Sequence, residues 1–169
     1  MQSTFRSRQD CGWAMSFVST DPQSHSGKTN TWLTPLWLIN ELGEFGLDPC
    51  GFPNHKTAKY LVCSPNDGLS SIWYGRVWLN PPYGKEQQRW LEKFMVHGSG
   101  IALIFARLET KWIQPFLKNG FFQIEGRIKF LKSDFTEDSN AGTGSILIPA
   151  SRYDTGKILS SNLKGRWFQ

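Results

Sequence analysis

The sequence predicts an α/β domain: a mostly parallel sheet with helices on both faces and an antiparallel hairpin at its C-terminal side. Three observations lead there. Short apolar runs alternate with stretches of helical spacing. One run, IALIFA at 101–106, is continuously apolar, as a strand buried on both faces should be. The last two strand-like runs are joined by a polar loop without a helix, which suits an antiparallel pair at one edge.

The elements follow in order. Residues 1–31 are polar and aperiodic and read as a flexible N-terminal arm, with Trp13 and Phe17 as possible tethers. Thr34 can cap a helix whose first position is Pro35, with Leu36, Leu38, Ile39 and Leu42 apolar and Gly43 as the stop. FGLDPCG (45–51) and TAKYLVC (57–63) read as short strands, each ended by turn residues. RVWL (76–79) is a third strand and runs straight into Asn80-Pro81-Pro82-Tyr83-Gly84. From Glu86 to His97, Trp90, Leu91, Phe94 and Met95 share a helical face. After IALIFA, the segment Thr110 to Asn119 reads as another helix, with Trp112, Ile113, Phe116 and Leu117 inward. FFQIEGRIKFL (121–131) is a strand bent at Gly126, and SILIPA (145–150) is the last strand. Residues 32–150 thus form the main domain, and 151–169 a basic C-terminal tail.

Composition bounds the partners. Lys plus Arg is 19 and Asp plus Glu is 14, giving +5 and a pI near 9.2, which suits a polyanion. No apolar run approaches the roughly 20 residues of a membrane-spanning helix, so no membrane is expected. The first residues lack the apolar stretch of a secretory signal. The three cysteines, Cys11, Cys50 and Cys63, form no CxxC pair, so we expect reduced thiols and no disulfide framework. Cys50, His55 and Cys63 match no common zinc spacing, and no metal is expected.

Asn80-Pro81-Pro82-Tyr83 is the most informative stretch. Two prolines hold the backbone extended and leave carbonyls without local partners. The Asn side chain adds an acceptor, and Tyr83 adds a flat ring. Such a slot grips a planar group that bears an amine. The Asn80 side chain and the Pro81 carbonyl can hold both hydrogens of a conjugated amine, so that its lone pair localises toward an electrophilic methyl. Orientation and directed hydrogen bonds then carry the chemistry, without a strong base. The tetrapeptide alone also serves as a plain turn; its place between an apolar strand and a helix favours the site.

Taken in order, WLTP (32–35), FGLDPCG (45–51), NDGL (66–69), VWLNPPYG (77–84), TKW (110–112) and EGRIKFL (125–131) resemble the phage-type DNA N6-adenine methyltransferase family (Dam-like, with its NPPY motif). The resemblance implies a class I methyltransferase-like (Rossmann-like) fold, S-adenosylmethionine as methyl donor and DNA adenine as acceptor. It implies catalytic roles for Asn80, Pro81, Pro82 and Tyr83. Thr34, Asp48, Cys50, Asp67 and Asn80 are implied at the donor, with Thr34 and Asp48 near its methionine end and Asp67 near its adenosine. It further implies a protein acting in the cytoplasm of a bacterial host, in restriction-modification or a related role. A carboxylate at Asp48 suits an ammonium, and one at Asp67 suits ribose hydroxyls. Two departures stand out: there is no GxGxxG, only Gly51 remaining in the first loop, and just 32 residues separate Asp48 from Asn80. Acceptors on RNA or a protein amide are the nearest alternatives, and a non-catalytic DNA-binding protein on the same scaffold is a third.

A duplex target must be flipped out to reach such a slot. Tyr83 is the expected stacking ring, with Trp78, Phe105 and Trp112 as candidate walls. Lys85, Arg89, Arg107, Lys111, Arg127 and Lys129, with Lys132, are the candidate phosphate contacts. With no recognition helix apparent, a short or relaxed target sequence is expected, read by a monomer or weak dimer.

Overall fold

The computed structural model describes residues 32–64, 66–137 and 142–169, so the expected arm at 1–31 lies outside the described residues. Among the described residues, three helices, α1 (Leu36–Leu42), α2 (Gln87–His97) and α3 (Arg152–Leu159), accompany seven strands. The strands are β1 (Leu47–Asp48), β2 (Tyr60–Leu61), β3 (Val77–Leu79), β4 (Gly100–Phe105), β5 (Phe121–Ile124), β6 (Ser145–Pro149) and β7 (Gly165–Phe168). They form one mixed sheet in the order β2-β1-β3-β4-β6-β5-β7.

Parallel pairing joins β2, β1, β3 and β4; antiparallel pairing joins β4, β6, β5 and β7. Three of six pairings are parallel, so the expectation of a mostly parallel sheet holds only on one side of β4. The connection from β5 to β6 has no crossover helix, and β6 therefore returns antiparallel between β4 and β5. The expected hairpin is present, yet it does not form the edge: β7 pairs outside β5.

Side chains alternate along the central strands, as a pleated sheet requires. Trp78, Ile101, Leu103 and Leu147 join one apolar cluster with Leu38, Ile39 and Leu42 of α1 and Ile158 of α3. Val77, Leu79, Ala102, Ile104, Ile146 and Ile148 join the other, with Trp90, Leu91 and Phe94 of α2.

Several local expectations shift. Pro35 is the N-cap residue of α1 with extended backbone, so Thr34 does not cap the helix. The expected helix at 110–119 is turns and one 3-10 segment, Gln114–Leu117. Pro115 lacks the N–H that an α-helix would use and blocks the turn before it. The strand expected over 121–131 ends at Ile124, and Gly126 bends the chain with a φ of +77°. The stretch 151–169 folds as α3 and β7, with Ser151 Oγ capping the helix by accepting from the Asp154 N–H at 3.2 Å. Cys63 is disulfide-bonded, contrary to the expectation of reduced thiols, whereas Cys50 is free.

At the starting ends of the central strands sits an ion pair. Arg76 Nε donates to Asp154 Oδ1 at 2.8 Å, and Nη1 donates to the carbonyls of Leu42 and Glu44. Asp154 Oδ2 accepts the Gly100 N–H at 2.9 Å. One side chain pair therefore ties α1, β3, β4 and α3 together, and the opposite ends of the strands are left for a site. No helix among the described residues is long and apolar enough to cross a membrane.

Candidate active site

Beyond the carboxyl ends of β1 and β3 lies a cleft of about 320 Å³, within the size range of small-molecule sites. Thr34, Asp48, Cys50, Asp67, Asn80, Pro81, Pro82 and Tyr83 all line it. Ligands of open α/β sheets bind at such strand ends.

Asp48 closes β1 and is only 4 % exposed. Its Oδ1 accepts the Cys50 N–H at 2.9 Å, and its Oδ2 accepts the Thr57 hydroxyl. Burial pushes its pKa up to about 6, although both hydrogen bonds pull the other way. Burial, together with the charges of Asp48 and Asp67, pushes the Cys50 thiol well up, so it is poorly suited to act as a nucleophile. Asp67 is exposed on the turn before Trp73, where its Oδ1 accepts the Leu69 N–H at 2.9 Å. Lys93 of α2 holds that turn by donating to the carbonyls of Leu69 and Ser71, both at 2.5 Å. Gly68 sits where a Cβ would fall 1.9 Å from the Pro49 carbonyl oxygen and 2.9 Å from the Trp90 ring. Only glycine lets the turn approach the loop after β1 so closely.

Asn80 leaves β3 with its amide hydrogens engaged. Nδ2 donates to the Trp32 carbonyl at 2.7 Å and to Thr34 Oγ1 at 3.2 Å. Its Oδ1 accepts from the Tyr83 hydroxyl at 3.4 Å, a long bond. Tyr83 stacks on Phe105 with ring centroids 4.1 Å apart and planes 14° apart. Burial raises the Tyr83 hydroxyl pKa. His55 donates from Nε2 to the Thr34 carbonyl at 2.7 Å, and burial lowers its pKa, which favours the neutral ring.

The sequence-derived walls divide. Phe105 backs Tyr83, whereas Trp78 is fully buried in the core, with its Nε1 donating to Thr34 Oγ1 at 3.3 Å. Trp112 packs partly buried beside the cluster that holds α2. Lys85, Arg89, Arg107, Lys111, Arg127 and Lys129 are all exposed, and none lines the cleft. Arg89 pairs with Glu86 at 2.8 Å and Lys129 with Glu137 at 3.1 Å. Trp32, His55, Thr57 and Trp90 also line the cleft or its floor and were not in the sequence-derived set for the site. Trp32 opens the WLTP segment, of which only Thr34 was singled out, whereas His55 and Thr57 lie in no such motif; Trp90 reads as a core residue of α2, which it also is.

The lining is chemically lopsided. Among the described residues it holds two carboxylates and neither Lys nor Arg, which favours a cationic ligand. Among the described residues no group of three or more His, Cys, Asp or Glu side chains stands ready for a metal ion.

Fold and cleft together define an α/β protein with a cleft at the carboxyl ends of its parallel strands. The model of the DNA N-6-adenine-methyltransferase (Dam) family matches residues 22–164, and the chain belongs to that family. No curated protein and no solved structure matches it.

Proposed function

We propose that this protein is an S-adenosylmethionine-dependent methyltransferase that acts on the N6 amine of adenine in DNA, on a class I methyltransferase-like scaffold. Membership of the Dam family supports the reaction class. The observation that carries the proposal is Asn80: with Nδ2 occupied by Trp32 and Thr34, its Oδ1, which takes only the long 3.4 Å bond from the Tyr83 hydroxyl, keeps a lone pair to accept with.

The cleft suits the donor. A buried carboxylate at Asp48 pairs with an ammonium, and Asp67 accepts from ribose hydroxyls, with Cys50 between them on the connecting loop. Among the described residues, no lysine or arginine in the lining opposes a positively charged ligand. When bound, S-adenosylmethionine supplies an electrophilic methyl group on a cationic sulfur.

The chain's own residues then orient the acceptor. Asn80 Oδ1 and the Pro81 carbonyl take the two hydrogens of the adenine amine, which turns its lone pair out of the ring plane. Pro82 keeps the backbone extended there. Tyr83, backed by Phe105, offers its other face to the base. Attack leaves a proton on a cationic nitrogen, which passes to solvent, so no strong base is required.

The base enters flipped from the stack. Lys85, Arg107 and Lys111 lie just after the ends of β3 and β4 and contact flanking phosphates; Arg89, Arg127 and Lys129 add to the basic surface. The protein acts as a monomer or weak dimer, as a phage- or prophage-type protein in the cytoplasm of a bacterial host, and serves protection from restriction or regulation.

Transfer of labelled methyl to methyl-free DNA, followed by digestion to nucleosides, tests this directly. Label in N6-methyladenine is the expected result. Label found only in RNA or protein, or no donor binding by calorimetry at millimolar concentration, overturns it.

A further inference from the structure

The segment Trp32-Leu33-Thr34 sits against Asn80 from 46 to 48 residues away in sequence. Its backbone is pinned from two sides. Leu33 exchanges both backbone hydrogen bonds with Leu131, each at 2.9 Å. The Thr34 carbonyl is held by His55 at 2.7 Å. Trp32 is wedged by its ring, edge-on to Phe105 and Phe130 at 6.2 and 5.9 Å.

Thr34 is 2 % exposed, and its hydroxyl oxygen faces two donors, Trp78 Nε1 and Asn80 Nδ2. Both are donors only, so the oxygen acts as acceptor to each. An inverted Asn80 amide would set its oxygen against the Trp32 carbonyl, acceptor against acceptor, and would turn its N–H groups toward the cleft. With Trp78 Nε1 donating to the same oxygen, Thr34 Oγ1 serves as a second acceptor for Nδ2 beside the Trp32 carbonyl. The placement of Thr34 at the donor, implied by sequence resemblance, accounts for neither contact.

We infer that Thr34 is a positioning residue for the acceptor amine: its hydroxyl, oriented by the Trp78 indole, fixes the side-chain amide of Asn80 so that Oδ1 points into the cleft. The inference rests on the reading of Asn80 as the amine acceptor for methyl transfer.

The test uses the full-length protein with Thr34→Val, which keeps the shape and removes the hydroxyl, and Thr34→Ser, which restores it. At saturating donor and DNA, Thr34→Val should lower kcat about five-fold, the loss from one neutral hydrogen bond. Thr34→Ser should recover most of it, and the donor dissociation constant should stay within about two-fold, since a neutral bond outside the donor contributes little to its binding. A second readout needs no turnover. In nitrogen-15 spectra, one of the two Asn80 side-chain amide protons should move upfield in Thr34→Val and return in Thr34→Ser. Unchanged kcat in Thr34→Val overturns the inference, as does a raised donor dissociation constant with kcat intact. If Thr34→Val is too unstable to assay, Trp78→Phe with the same amide spectrum replaces it, and an unmoved Asn80 signal overturns the inference. If the wild type methylates nothing while the Asn80 signal still follows Thr34, the enzymatic reading fails and the positioning contact stands.

Discussion

Asp48→Asn should make the protein more stable and its ligand site weaker, and pH separates the two effects. In the folded protein, burial lifts the carboxyl from its ordinary 3.8 to about 6. In the unfolded chain it ionises near the lower value. Between about 4 and 6 the native state therefore binds more protons than the unfolded state, and stability falls as pH rises through that window. Above it the deficit is complete. At 1.36 kcal/mol per pH unit it amounts to about 3 kcal/mol. Asparagine keeps both local contacts, because its oxygen can accept from the Cys50 N–H and its amide can donate to Thr57 Oγ1. Urea titrations should show the variant about 2–3 kcal/mol more stable than wild type at pH 7.5, and equal to it below pH 4. Calorimetry at pH 7.5 should show S-adenosylmethionine bound roughly 10–100-fold more weakly, the loss of one charged hydrogen bond. A variant less stable at neutral pH, or a gap that does not close on acidification, would refute the reasoning.

Three further outcomes follow. Asn80→Asp should slow methyl transfer about 100-fold despite its near-identical shape, because a carboxylate has no hydrogen for the Trp32 carbonyl; a single-turnover rate within three-fold of wild type would remove that contact from the argument. Tyr83→Ala should raise the KM for DNA roughly 10–100-fold, while Tyr83→Phe, which keeps the stack on Phe105, should stay within a few-fold; equal behaviour of the two in steady-state assays counts against base stacking. Asp154→Ala should cost about 3–5 kcal/mol in urea unfolding, because it strands the Arg76 charge and the Gly100 N–H; a loss under about 1 kcal/mol would show that the pair is not a clamp.

Much of the scaffold was legible along the chain. The uninterrupted apolar run of β4, the shared face of Trp90, Leu91 and Phe94, and the Asn-Pro-Pro exit from β3 are local signals, and each marks its element within a residue or two. The false helix at 110–119 came from apolar spacing read without the weight Pro115 deserves. α3 was missed although Ser151 and Asp154 stand three apart, as a capping pair does; its apolar face is too thin to show by periodicity. In the site, Asp48, Asp67 and Asn80 were legible because each ends a short strand or opens a turn. The contacts of Trp32, Thr34, His55 and Trp78 around Asn80 were not. They join residues 21 to 48 positions apart, and only the folded chain brings them together.

Position 68 acts as a spacer of almost no thickness. It is caught between Pro49, on the loop leaving β1, and Trp90, on a helix anchored in the core. Neither wall can retreat without disturbing its own element. An added carbon would become travel of the whole neighbouring turn, and Asp67 would move away from Asp48. The separation of the two carboxylates that line the cleft is thus governed by a residue that brings no side chain to it.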